Sequence, residues 1–400
     1  MTEAFPRVLL LTRWAPGARY AGGEALRKVV GRLPREQIRW ACLDRAGAAD
    51  GSLPESRGFP PREAHWRLRR SFLQMFYVNY LQAGRLSREI AEWVKPFRPG
   101  LIWVASDMEA ISVALRLEKR LGIPVHATVY DAYECCRLFT VPASFYPLYM
   151  RHVRRFLGTA CTIDAVSAEL VDHVRAVSPA AGRNGTMVLP ASVGRDVLSA
   201  LPERTKPDLA SPVRRIGFCG ASRASRQQWL AFMAMLGQLP WQFEILAFAQ
   251  QDHFHGVPPD GNVTVRFLPY APTEADVMKR FRASGVHACY LGLVKEAAQA
   301  LFAATSLSSK LTTYAGAGLP VIADAPVRSV AWRLVEKHGA GIRCGDDAPE
   351  SLQELTRLFS DAEAWARMAD GASRMCREEF DLDRNAQGLQ KLLRLATDGG

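Results

Sequence analysis

At 400 residues the chain exceeds what a single hydrophobic core normally serves, so two domains are the expectation. With 48% hydrophobic and 23% charged residues it has the composition of a folded globular protein, which excludes an intrinsically disordered chain. A formal net charge of +11 favours anionic partners, whether phosphorylated small molecules, anionic lipid headgroups or nucleic acid, without choosing among them. The eight cysteines are scattered, with no Cys-x-x-Cys spacing and only Cys135 and Cys136 adjacent, as expected for a reduced, cytoplasmic setting. The amino terminus runs into a strand-like segment without a basic region and a long apolar stretch, so no signal peptide is expected. Nowhere do about 18 apolar residues follow one another, the length a spanning helix requires.

Val8 to Thr12 reads as a buried strand, followed by a loop containing Pro16, Gly17, Gly22 and Gly23 and then an amphipathic helix from Glu24. The Gly22-Gly23 pair would let backbone approach a ligand closely, or simply form a turn before the helix. Alternation continues with strands at Ile38 to Leu43, Leu101 to Ala105, Val125 to Tyr130, Thr162 to Ser167 and Met187 to Pro190, and helices at Glu109 to Leu121 and Glu169 to Val177. Strands interleaved with helices imply a parallel sheet covered on both faces. Residues 1–195 therefore form one doubly wound domain.

Between Gly194 and Pro212 lies a Pro- and charge-containing stretch with no period, read as a linker. The order restarts with a strand at Arg215 to Gly220, a helix at Gln227 to Leu236, and strands at Phe243 to Phe248 and Val263 to Phe267. A helix at Glu274 to Ala283 and a strand at Val286 to Leu291 follow, and 196–383 make a second doubly wound domain. The segments Val327 to His338, Pro349 to Phe359, Ala362 to Phe380 and Arg384 to Ala396 are helical in pattern.

Within the second domain, Ser306 to Ala323 holds the most informative motif. Ser308 or Ser309 can cap a helix over Lys310 to Ala317, Gly318 stands where helices end in the left-handed conformation, and Leu319 to Ala323 is a strand. A helix amino terminus offers unpaired N–H groups and partial positive charge, and Lys310 stands in its first turn. Those features suit an anion, most naturally a phosphate; an ordinary capped helix with a solvated lysine is the plainer reading.

The pattern Ser-x-x-x-Lys-Leu-x-x-Tyr-x-x-x-Gly-x-Pro-Val resembles the donor-binding signature of nucleotide-sugar glycosyltransferases of GT-B fold, the bacterial group 1 family, similar to glycosyltransferase family 4. Ser308 stands where that family has proline, and Thr313 stands where it has a glutamate associated with the donor's ribose. A related pattern has another glutamate eight positions earlier, where this chain has Thr305. The resemblance implies two Rossmann-like domains facing across a cleft, with 196–383 binding the donor and 1–195 the acceptor. It also implies that a terminal helix, 384–400, returns to the first domain.

Further candidates follow from the same resemblance. In Gly220-Ala-Ser-Arg223-Ala-Ser-Arg226, glycine permits close approach and the arginines can fork onto a diphosphate, although solvated loop arginines are an alternative. Donor-binding candidates are thus Gly220, Arg223, Arg226, Ser308, Ser309, Lys310 and Thr313. Tyr130-Asp131 ends a strand that the family often closes with His-Asp, which makes Asp131 a catalytic candidate with Lys310 and Arg223 and places Tyr130 with Gly22 and Gly23 on the acceptor side. Asp131 could equally cap the next segment. Glu296 could supply a carboxylate to a ribose, though a surface glutamate is the simpler view. Asp252-His-Phe-His255 shows two alternate imidazoles without a third ligand, and Asp381-Leu-Asp383 does not follow a buried strand, so no metal site is expected.

Arg62 to Trp93 mixes Trp66, Arg67, Arg69, Arg70, Phe72, Phe76, Tyr77 and Tyr80 at roughly helical spacing. Such a face suits an anionic membrane surface, or packs its aromatics into the first domain with solvated arginines outside. No nucleic-acid signature accompanies it. The resulting reading is a cytoplasmic glycosyltransferase, peripheral on the inner face of the membrane. It uses a nucleotide-sugar as substrate and no cofactor, and transfers to a glycan, lipid-linked or small-molecule acceptor. A nucleotide-sugar epimerase and a non-catalytic nucleotide- or partner-binding member are the alternatives.

Overall fold

The computed structural model describes residues 4–15, 21–44, 53–61, 72–105, 108–136, 141–221, 224–249, 261–345 and 347–398. Two compact units emerge, Met1–Ala191 with Leu382–Gly400, and Ser192–Asp381.

In the first unit seven strands form one parallel sheet: β1 (Val8–Thr12), β2 (Ile38–Cys42), β3 (Glu55–Gly58), β4 (Leu101–Ala105), β5 (Val125–Val129), β6 (Ala160–Ala165) and β7 (Gly185–Val188). Their order is β3-β2-β1-β4-β5-β6-β7, so the winding reverses at β1, which pairs with β2 on one side and β4 on the other. β1, β4 and β5 are buried along their whole length, which is why they read as unbroken apolar runs. β3 escaped the sequence reading because it is an edge strand of Glu55, Ser56, Arg57 and Gly58 that never enters the core. β6 starts and stops two residues early because Ser167 turns out of the sheet to cap the Ala168–Val177 helix, accepting the N–H of Leu170. Helix Ala83–Val94 falls in the stretch read at roughly helical spacing, and helix Tyr146–Thr159 has no counterpart in the sequence reading.

The last helix, Leu382–Asp398, belongs to this unit. Leu389, Leu393 and Ala396 are fully buried in the same cluster as Val8, Leu10 and Trp103. Arg32 pairs with Asp383 at 3.1 Å. The terminal helix thus packs within the first unit.

The second unit holds β8 (Val213–Cys219), β9 (Gln242–Phe248), β10 (Val263–Phe267), β11 (Ala288–Gly292), β12 (Val321–Asp324) and β13 (Gly341–Arg343), all parallel, in the order β10-β9-β8-β11-β12-β13. The winding reverses at β8, the same logic as in the first unit. The stretch 194–212 lies inside this unit, with a short helix at Arg195–Ser199 and Leu201 in the core. The chain enters and leaves the unit side by side, Val193 donating to Phe380 O at 2.8 Å. β12 begins at Val321 because Pro320 has no N–H to give to a ladder. No described helix is long and apolar enough to cross a membrane.

One buried imidazole gives this unit a pH dependence. His287 accepts the N–H of Arg215 through Nδ1 at 3.1 Å, and its Nε2 is buried. Burial, with the charge of Arg214, pushes its pKa down to about 4 from 6.5. The unfolded chain therefore takes up this proton near pH 6.5 and the folded one only near pH 4, so stability is full above that window and falls within it. The expected loss is up to about 3 kcal/mol. Urea unfolding at pH 7 and pH 5 should show a smaller loss for His287→Asn than for the wild type; identical losses would contradict the assignment.

Candidate functional site

The site is built where β8 ends. Cys219 closes the strand and Gly220 turns out of it with φ of +70°, a conformation that a side chain would strain. Its N–H is held by Phe248 O at 2.9 Å. A Cβ on Gly220 would lie 3.5 Å from Cε of Lys310, so the lysine stem runs directly over the glycine.

Lys310 arrives there because the Ser309–Ala317 helix crosses from β11 back to β12, which puts its amino terminus at the carboxyl edge of the sheet. The crossover is pinned by Tyr314, one turn beyond the lysine and fully buried. Its hydroxyl accepts the N–H of Cys219 at 3.2 Å and donates to Tyr290 O at 3.1 Å, tying the helix to β8 and β11 together. Gly318 ends the helix in the left-handed conformation (φ 67°), as the sequence predicts.

At the helix start Ser308 is the N-cap, but its side chain accepts from none of the helix amides. Ser308, Ser309 and Lys310 are half-buried. The Lys310 charge also reaches Cys219, opposing the burial that pushes that thiol up to about 11. Gly220, Ser308, Ser309 and Lys310 thus form one group: a left-handed glycine, a helix start whose N-cap side chain makes no capping bond, and a lysine whose Cε passes over the glycine. Such a group favours an anion, because partial positive charge from the helix and full charge from the lysine converge on one spot.

Of the two loop arginines, Arg226 is the first residue of the Arg226–Gly237 helix and is exposed. Ser225 and Gln228 make a reciprocal capping box before it, and Gln228 Nε2 also donates to Leu293 O at 2.8 Å, fixing this helix end to the segment after β11. Arg223 lies outside the described residues.

Thr313 has a protein partner of its own. It is 6% exposed, and Oγ1 donates to Oε1 of Glu274 at 2.6 Å. A carboxylate therefore stands beside position 313 after all, delivered from the first turn of the neighbouring Glu274–Ala283 helix. Sequence reasoning missed Glu274 because nothing links positions 39 apart on two helices before the fold brings them together. Glu296 is exposed at the start of a single 3-10 turn. Thr305 is buried and donates to Leu301 O of its own helix at 2.7 Å.

In the first unit, Gly22 and Gly23 stand in the first turn of the Ala21–Val30 helix and not in the loop before it, so the helix begins earlier than its amphipathic pattern suggests. Asp131 is exposed just past β5. Tyr130 is half-buried with its ring 6.2 Å from that of Trp14, and burial together with the charge of Asp164 raises its phenol pKa. Behind it runs a buried polar file: His126 Nε2 and the hydroxyl of Thr128 both reach Asp164 Oδ1 at 2.7 Å, and Trp103 Nε1 donates to Thr128 at 2.8 Å. The alternation of His126, Thr128 and Tyr130 along one strand was the signal for it.

Asp381 and Asp383 point to different partners, Asp381 to Arg195 at 2.6 Å and Asp383 to Arg32, which leaves them paired with arginine and not with each other. Asp252 to His255 lie outside the described residues. No group of three or more potential metal ligands occurs among the described residues.

No protein-family model matches the chain and no curated protein matches it. Solved structures do. A sucrose-phosphate synthase from Thermosynechococcus elongatus superposes with a TM-score of 0.69 at 12% identity, covering 98% of this chain and all of that one. HepE from Anabaena, solved with UDP and glucose, gives 0.64 at 15% identity over 97% of this chain and 99% of that one. A UDP-forming trehalose-phosphate synthase from Burkholderia xenovorans, solved with glucose-6-phosphate, gives 0.65 at 12% identity over 97% and 100%. The fold is that of the GT-B glycosyltransferases.

The Thr313–Glu274 contact yields a test. Thr313→Glu would set two carboxylates against each other in a largely buried place, so one must stay protonated or move away. Thermal melts should show a loss of about 1–3 kcal/mol at pH 7 that shrinks toward pH 5. Thr313→Val should lose less and show no such recovery; a Glu variant as stable as the wild type at pH 7 would contradict the contact.

Proposed function

We propose that the chain is a glycosyltransferase that moves a sugar from a nucleotide-sugar donor to an acceptor, a glycan, a lipid-linked sugar or a small molecule. The observation that carries the reading is Lys310 lying over Gly220 at the start of the Ser309–Ala317 helix. Two of the structural neighbours are described as UDP complexes or UDP-forming enzymes, which makes UDP the first nucleotide to test.

In this reading the diphosphate lies against the helix end, with the Ser308 and Ser309 hydroxyls and Lys310 assigned to it, and Arg223 and Arg226 assigned to it from the sequence pattern after Gly220. Negative charge grows on the leaving diphosphate as the glycosidic bond breaks, and fixed positive charge there lowers the barrier. The protein's own cations carry this load, which is the basis for proposing a reaction independent of a metal ion. Retention of configuration is carried over from the group that the signature resembles. Asp131 and Tyr130, with Gly22 and Gly23, are assigned to the acceptor side. Thr313 acts on the donor through Glu274, whose carboxylate it orients, and not by its own hydroxyl.

Lys310→Ala removes one charge-assisted contact, worth roughly 1.5–3 kcal/mol. Calorimetric titration with UDP, GDP, ADP and dTDP should show at least about tenfold weaker binding of the preferred nucleotide, with the ligand-free melting temperature unchanged. Turnover of the matching sugar donor should fall further than binding. If the wild type binds none of the four, or the variant binds as well as the wild type, the donor-site reading fails and a non-catalytic role replaces it.

An anionic membrane surface at the cytoplasmic face is proposed as a further contact. Phe72, Leu73, Phe76 and Leu81 are exposed on the helical stretch 72–82, Leu73 by 62% and Leu81 by 61%, directly after a segment whose sequence carries Arg67, Arg69 and Arg70. Sedimentation with vesicles containing phosphatidylglycerol should fall for Leu73→Glu/Leu81→Glu and with added salt. Equal sedimentation of variant and wild type would contradict this contact.

A further inference from the structure

The Ser309–Ala317 helix has a second charged environment, at its other end. There a recess of about 530 Å³ is lined by five cationic side chains, Arg204, Lys206, Arg282, Arg374 and Arg377, opposed by two carboxylates, Glu203 and Asp370. All of them belong to the second unit. They come from three separate segments: the extended stretch after the short Arg195–Ser199 helix, the last turn of the Glu274–Ala283 helix, and one face of the Ala362–Glu379 helix, where Arg374 and Arg377 are three apart.

Part of this charge has a structural task. Arg282 donates to Ala317 O at 3.0 Å, Gly316 O at 3.1 Å and Pro202 O at 2.9 Å, and Arg204 donates to Gly318 O at 2.7 Å. These two side chains satisfy the last carbonyls of the helix, which favour positive charge. That task explains Arg282 and one arm of Arg204. It leaves Lys206 and Arg377, which have no acceptor among the described residues, and it leaves most of Arg374, which gives one N–H to His338 O at 2.8 Å.

Nor is the charge balanced from within. Asp370 reaches Arg204 only at 3.4 Å and is itself 76% exposed, a pair of little worth in water. Five positive charges against two negative ones leave an excess of three. Burial and then the nearby Arg204 charge lower the pKa of Arg282, which records like charges held together. The recess is larger than a bare phosphate needs and falls in the range of small-molecule sites.

We propose that this recess is a second anion site, taking the phosphate group of a phosphorylated small molecule or lipid headgroup, separate from the site at Lys310. The helix between them has nine residues, so the two sites lie on the order of 13 Å apart along its axis. Arg377 and Lys206 make the direct contacts to phosphate. Arg204 and Arg282 contribute field while holding the helix end.

The test uses the full chain carrying Lys310→Ala, so that the first site is weakened, and glycerol 3-phosphate as the probe in calorimetric titration. Saturable binding is expected, and Lys206→Ser/Arg377→Ser should weaken it at least about tenfold without changing the melting temperature. Lys206→Ser alone, a change in an exposed extended segment, should give part of that loss. Vesicles containing phosphatidic acid form the second arm: binding that depends on Lys206 and Arg377 there, and not with glycerol 3-phosphate, assigns the phosphate to a lipid. Absence of binding in both arms, or binding indifferent to the double substitution, would overturn the proposal. UDP binding to a chain with Lys310 intact should be the same with and without the double substitution, so failure here leaves the donor-site reading standing, and the reverse.

Discussion

Much of the second unit's geometry depends on the hydroxyl of Tyr314. It stands at a buried meeting point of β8, β11 and the crossover helix, accepting a hydrogen bond from the Cys219 amide and donating one to the Tyr290 carbonyl. A buried hydroxyl left without partners would cost about 1–3 kcal/mol, so the position specifies tyrosine and fixes the helix by two directional bonds. Because Lys310 lies one turn earlier on that helix, the same bonds decide where its ammonium falls. The stem runs over a glycine whose positive φ disfavours a side chain there.

The helix so fixed is charged at both ends by different means. At its start the capping serine leaves its side chain unused and a lysine occupies the first turn. At its close Arg204 and Arg282 bind the last three carbonyls, which neutralises the negative end and stiffens the turn into β12. A short helix whose carboxyl end is held by protein keeps its amino end in place, as the proposed anion site requires. Pre-organisation of that kind is what stabilises a leaving group.

The parallel sheets and their winding were legible because buried strands such as β1, β4 and β5 write themselves as continuous apolar runs between glycine, proline and polar turns. The Lys310 helix was legible for the same reason, its cap, its length and its terminal Gly318 being local features. What escaped was non-local or apolar-poor. β3 is an edge strand of polar residues, and the pairing of Thr313 with Glu274 joins two helices across 39 residues of chain. The expected loop at Gly22 and Gly23 is a helix start, since glycines tolerated in a first turn look like a loop when only propensity is read. The basic recess was invisible because its cations lie far apart in sequence, at 204, 206, 282, 374 and 377.

The central claim is that a nucleoside diphosphate sits on the amino end of the Ser309–Ala317 helix beside Gly220. Amide hydrogen exchange with and without saturating UDP, or whichever of the four diphosphates binds tightest, addresses it directly, because bound phosphate occupies the amides it contacts and slows their exchange. The account predicts slowed exchange confined to peptides covering 219–226 and 306–312 within the second unit. Unchanged exchange in both segments while the nucleotide is bound, with protection appearing elsewhere in that unit, would contradict it.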